Sequence, residues 1–162
     1  MKTQISFLTL LILIFHQSYS QCDYKTVKRP DGITINYFNP KAVILNSDYE
    51  VGTSIYKNSN TNEFTLNITL RFKKIAPEKL DKSLVIQTES SEGIELPIVV
   101  SELMNMNGSK VAIGNYYLDE RSISILRNYD LKTIYFYLEG NLIGSSVDKS
   151  NDLLKLQLDC FK

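Results

Sequence analysis

Between residues 63 and 73 the chain alternates apolar and polar side chains without a fault, with Phe64, Leu66, Ile68, Leu70 and Phe72 on one side. A period of two turns successive side chains to opposite faces, so this segment predicts a half-buried β-strand. Stretches rich in β-branched and aromatic residues predict further strands at 33–38, 49–56, 83–88, 94–103, 110–118 and 131–138. Polar breaks at 58–62, 89–93 and 139–141 separate them, and Asn107-Gly108 suits a two-residue turn because both residues tolerate positive φ. Strands joined this way run largely antiparallel. Pro97 cannot donate to a ladder, which assigns the 94–103 strand to a sheet edge or gives it a bulge. The expected fold is mainly β, an antiparallel β-sandwich with one or two short helices near the C-terminus.

The helical signals are local. Asp119 can cap a helix over 120–128, where Ile123, Leu126 and Arg127 recur at helical spacing. The tail is ambiguous: Ser150 or Asn151 can cap a helix from Asp152 to Cys160, yet 154–160 also alternates like a strand. Its Leu, Lys and Gln residues are good helix formers and none is β-branched, which favours the helix.

At the N-terminus Lys2 precedes an apolar run from Phe7 to Phe15, followed by small residues at Ser18 and Ser20. The run is too short for a bilayer, so residues 1–20 read as a secretory signal peptide cleaved after Ser20. A single β-rich domain over 21–162 is then expected, exported to the periplasm or the exterior, with no transmembrane span after cleavage. The Lys73–Glu78 connection is not read as a domain boundary, since strand patterns of one type flank it. Cys22 and Cys160 lie beyond the cleavage point, and in an oxidising compartment they predict one disulfide joining the termini. Lipidation of Cys22 fits less well, because Gln21 stands where a small residue is wanted.

An exported cysteine near the mature start is followed by hairpins and then by a closing pattern. That pattern runs from Leu118-Asp119-Glu120-Arg121 through Leu126, then Ile134 to Leu138, then Leu153 to Cys160. It resembles short secreted proteins of flavobacterial type, which generally have no assigned activity. The resemblance implies a β-rich secreted fold and no particular function.

Composition narrows the chemistry. The 18 basic and 18 acidic residues are dispersed, and only Lys2 of them lies in the leader, which leaves the remainder one unit negative. No basic patch for nucleic acid is present. The single histidine, His16, is lost with the leader, which excludes Ser-His-Asp and Cys-His nucleophilic sites and imidazole metal sites. No cofactor motif appears, and no metal or catalytic residue is assigned. Carboxylate pairs at Asp48 and Glu50, Glu89 and Glu92, and Asp119 and Glu120 leave open a small glycosidase-like hydrolase, though all three sit where acidic residues form turns or caps. Asn67 and Asn107 head glycosylation sequons and are expected to be exposed. Alternation in 133–138 places Ile134, Phe136 and Leu138 in the core and turns Tyr135 and Tyr137 outward as a candidate ligand-binding pair. A cross-strand packing pair is the competing account of those tyrosines. The expected role is a non-catalytic binding module whose partner is a carbohydrate or an envelope protein; the alternatives are the hydrolase and a structural envelope component.

Overall fold

A computed structural model describes residues 22–90 and 92–161; the expected leader and its cleavage point lie outside them. Eleven strands form among these residues: β1 (Lys25–Lys28), β2 (Thr34–Tyr37), β3 (Lys41–Leu45), β4 (Tyr49–Asn58), β5 (Phe64–Phe72), β6 (Leu80–Thr88), β7 (Gly93–Leu96), β8 (Ile98–Met106), β9 (Ser109–Leu118), β10 (Leu131–Leu138) and β11 (Asn141–Ser146). The helices are α1 (Glu120–Asn128) and α2 (Leu153–Asp159). One sheet has the order β1-β2-β4-β5-β9-β8, with β3 also pairing β4, and the other has the order β11-β10-β6-β7. Every pairing is antiparallel. The fold is an antiparallel β-sandwich.

Alternation explains the core. Leu66, Ile68 and Leu70 of β5 are fully buried and belong to one cluster with Leu84 and Ile86 of β6 and Ile134 and Phe136 of β10. Tyr49 of the larger sheet meets Phe136 of the smaller edge to face, with ring centroids 5.6 Å apart. The flanks are stitched differently. On one, the backbone of Asp148 and Lys149 donates to the Val43 carbonyl while the Asp148 carboxylate accepts from Leu45 N at 3.3 Å. On the other, the chain passes from β7 to β8 through Pro97.

Pro97 corrects the expected single strand over 94–103. The run divides there into β7 and β8, which belong to different sheets and are each a terminal strand. Edge placement follows from the missing N–H, as anticipated; the change of sheet does not. The Asn107-Gly108 turn forms as expected, with φ of 49° and 77°. In the tail, α2 forms in place of a strand, but its N-cap is Asp152 and neither Ser150 nor Asn151, and no side chain bonds to its first turn. Ser150 and Asn151 are engaged through their carbonyls, which accept from Leu153 N and Leu131 N. Asn67, expected to be exposed, is only 2 % exposed: it donates to Asn115 Oδ1 at 2.8 Å and accepts from Thr69 Oγ1 at 2.9 Å.

The termini meet. Cys22 and Cys160 form a disulfide with Cα atoms 5.5 Å apart. Beside it Phe161 packs on Tyr24, Phe38 and Phe64 with centroids 5.2, 5.3 and 5.9 Å away. Helix α2 packs on α1 and on β4, and one side chain explains how. Along one side of β4, β3 pairs with residues 50–53 and β2 with residues 56–58, which leaves Ile55 in a gap between them. Gln157, itself buried, fills the gap by accepting from Ile55 N at 2.8 Å, and Phe38 N donates to the Ile55 carbonyl. Removing that acceptor strands a buried N–H, so Gln157→Ala is expected to destabilise by roughly 1–3 kcal/mol. Denaturant unfolding and exchange of the Ile55 amide test this together; an unchanged exchange rate would rule the bond out.

Candidate functional site

Tyr135 and Tyr137 lie half-buried on the outer face of the smaller sheet, opposite the buried Phe136, as the alternation requires. Each has a local partner. Tyr135 stands across from Gly144 in the β10–β11 pair, and a Cβ on that glycine would fall 2.5 Å from the tyrosine ring. The ring therefore covers backbone that only glycine leaves open. Its hydroxyl points to Gln87 Oε1 at 3.4 Å, while Lys82 Nζ sits 4.8 Å from the centre of the Tyr137 ring.

A larger feature occupies the outer face of the seven-stranded sheet. Register places Tyr37 opposite Tyr56, Tyr56 opposite Thr65, and Thr65 opposite Tyr117. These four outward side chains form one row across β2, β4, β5 and β9. The adjacent row on one side runs Val27, Ile35, Asn58; on the other it runs Ser54, Asn67, Asn115, Val100. Apart from the buried Ser54 and Asn67, these residues line a cleft of about 800 Å³ that reaches from Val27 and Arg29 to Val99 and Val100.

Local structure accounts for each wall. In β8 the register shifts between Ile98 and Val100, a bulge that gives the rim two successive exposed valines, Val99 being 61 % exposed. In β9 the two adjacent tyrosines part company. Tyr116 points inward, where burial and the nearby Asp81 carboxylate push its pKa far up; Tyr117 points out into the cleft. The Tyr37 and Tyr56 rings lie 5.4 Å apart at 52°, and burial, with a smaller contribution from Tyr37, raises the Tyr56 pKa above its usual value. Tyr56 thus keeps its hydroxyl proton at neutral pH. The hydroxyls of Tyr37, Tyr56 and Tyr117 have no hydrogen-bond partner among the described residues.

Charge in the cleft is sparse and internally held. Arg29 pairs with Asp31 at 2.8 Å, and Glu63 accepts from Thr61 Oγ1 at 2.7 Å. Of the six carboxylates in the pairs considered for catalysis, Asp48, Glu50, Glu92 and Asp119 have partners within the fold. The Asp48 carboxylate accepts from Ser47 Oγ, and Glu50 lies 3.9 Å from Lys73 Nζ. Glu92 pairs with Arg121 at 2.9 Å. Asp119 caps α1 by accepting from Ser122 N at 2.7 Å, and the hydrogen bonds from Ser122 hold it below its ordinary pKa. Glu89 donates its amide to the Asp130 carbonyl.

Tyr37, Tyr56 and Tyr117 are not singled out by the sequence pattern. The alternation of 34–37 and 110–118 assigns each residue to a face, but only the pairing register puts three tyrosines in one row.

No protein-family model matches the chain, and no solved structure matches it. Among curated proteins, the chain is similar to the pheromone-processing carboxypeptidase KEX1 of Kluyveromyces lactis, 29% identical over 131 residues. The alignment takes in 68% of this chain and 20% of that protein.

Proposed function

We propose that the protein is an exported, non-catalytic binding module that takes its ligand into the cleft of the seven-stranded sheet. The observation that carries this reading is the row of Tyr37, Tyr56, Thr65 and Tyr117, with three tyrosine hydroxyls left unpaired at the floor of a cleft. Tyrosine offers a broad apolar surface with a polar tip, and a few convergent polar groups in a mainly apolar hollow are what small-ligand sites share. Tyr135 and Tyr137 are assigned by the same reading to packing, since each already has a neighbour to cover or contact. Export is supported by the disulfide. The carboxypeptidase likeness is not carried over as an activity, because it takes in only 20% of that protein and residues 22–162 contain no histidine.

Arrays of glycans and of envelope proteins probed with labelled protein provide the test. Tyr117→Ala is expected to weaken the bound signal by about 2 kcal/mol, roughly thirtyfold, while the Tyr135→Ala/Tyr137→Ala double variant keeps it. Loss of signal in the double variant, with Tyr117→Ala unaffected, would move the site to the smaller sheet.

A further inference from the structure

We infer that the ligand is an uncharged, linear glycan lying across the strands, an inference that rests on the cleft being the binding site. The spacing of the tyrosines suits sugar rings. Tyr56 and Tyr117 are separated by the single strand β5, so their side chains rise two strand spacings apart, about 10 Å. Two pyranose rings joined end to end cover that distance. An extended peptide repeats its same-face side chains at only about 6.8 Å and would fall out of step with the tyrosines. Thr65 between them is small and polar, leaving room for the sugar that neither ring carries. The Tyr37 and Tyr56 rings, 5.4 Å apart, form one stacking position and Tyr117 the next.

The charge of the cleft suits a neutral ligand. Arg29 and Glu63 are the cleft's two charged lining residues, of opposite sign and each already engaged by a neighbour. A uronate, a phosphorylated polymer or a basic peptide would find no complementary field there. A neutral chain needs none. It needs apolar faces for its C–H surfaces and unpaired hydroxyls for its rims, and Tyr37, Tyr56 and Tyr117 present these. The length of the cleft suits a chain. From β1 to β8 the cleft crosses six neighbouring strands, so it is about 24 Å from first to last, room for a run of sugars in place of a single ring.

Calorimetric titration of the whole protein with defined neutral oligosaccharides, β-1,4-, β-1,3- and α-1,4-linked and two to six sugars long, tests the inference beside polygalacturonate, hyaluronate and a basic peptide. At least one neutral series is expected to bind, with affinity rising at each added sugar up to about five and little change between low salt and about 0.5 M. Tyr117→Ala should weaken that series at least tenfold, and a tyrosine difference spectrum of the unaltered protein on adding the sugar should appear whether or not the variant folds. If none of the neutral series binds, the inference is overturned. Tyr117-dependent binding of a charged polymer or a protein in that case leaves the binding module standing with a different ligand. Absence of Tyr117-dependent binding across every probe removes both.

Discussion

Replacing Phe136 with alanine is expected to lower the free energy of unfolding by roughly 3–5 kcal/mol. The ring is fully buried at the centre of the smaller sheet and meets Tyr49 of the facing sheet edge to face. Its strand is held by β6 on one side and β11 on the other, so the backbone cannot move in to fill the void left behind. Tyr137, one residue along and on the opposite face, provides the internal control. Its truncation removes only an outward ring and the contact with Lys82, worth about 0.5–1 kcal/mol at an exposed site. Denaturant midpoints at unchanged m-value read both effects. Equal losses for the two variants would mean that the faces of β10 have been assigned wrongly.

Loss of the disulfide is expected to have an effect of similar size. Cys22 and Cys160 are 138 residues apart, so the bond closes nearly the whole described chain, and the chain-entropy account sets its contribution at up to about 5 kcal/mol. Residual structure in the unfolded chain reduces this, and a loss of roughly 2–5 kcal/mol is expected for Cys22→Ser/Cys160→Ser. The double variant avoids a lone thiol. Thermal unfolding of the double variant should match that of the reduced unaltered protein, and both should lie well below the oxidised form. Coincident melting of all three, or two freely alkylated thiols in the oxidised protein, would contradict the closure.

The sandwich was legible in the sequence wherever one strand face meets core and the other meets water. In β10 from Thr133 to Leu138, and in β5 except at Asn67, more and less buried positions alternate, and the pattern is read directly. Three strands do not display such a pattern in their residues. β1 is exposed at all four positions, β3 carries the unbroken apolar run Ala42-Val43-Ile44-Leu45, and β11 is mostly small and polar, so none shows a period of two. The tail shows the converse: Leu154, Leu156 and Leu158 alternate like a strand, yet α2 buries Leu153, Leu154, Gln157 and Leu158, a helical set that the period-two reading splits. Asn67 looked exposed because it is polar on the outward face of its strand, whereas it is buried beside its hydrogen-bond partner Asn115, 48 residues away in sequence on the adjacent strand β9. The cleft was illegible for the same reason. Its tyrosines are separated in sequence by most of the sandwich, and their meeting is a property of strand register, which no local pattern carries.

With Cys22 and Cys160 joined, everything between them is a closed covalent ring. A protease that cuts once, for example at the exposed Asn107-Gly108 turn, opens the ring without dividing the molecule. The two new ends then belong to one linear chain whose halves remain tethered through the sulfur atoms, so their effective concentration stays high and the β8–β9 ladder can persist across the nick. Mass under non-reducing conditions would rise only by the water added at the cut. Separation into fragments requires a second cut or a reductant, so a single loop cleavage changes the connectivity of the fold before it changes its composition.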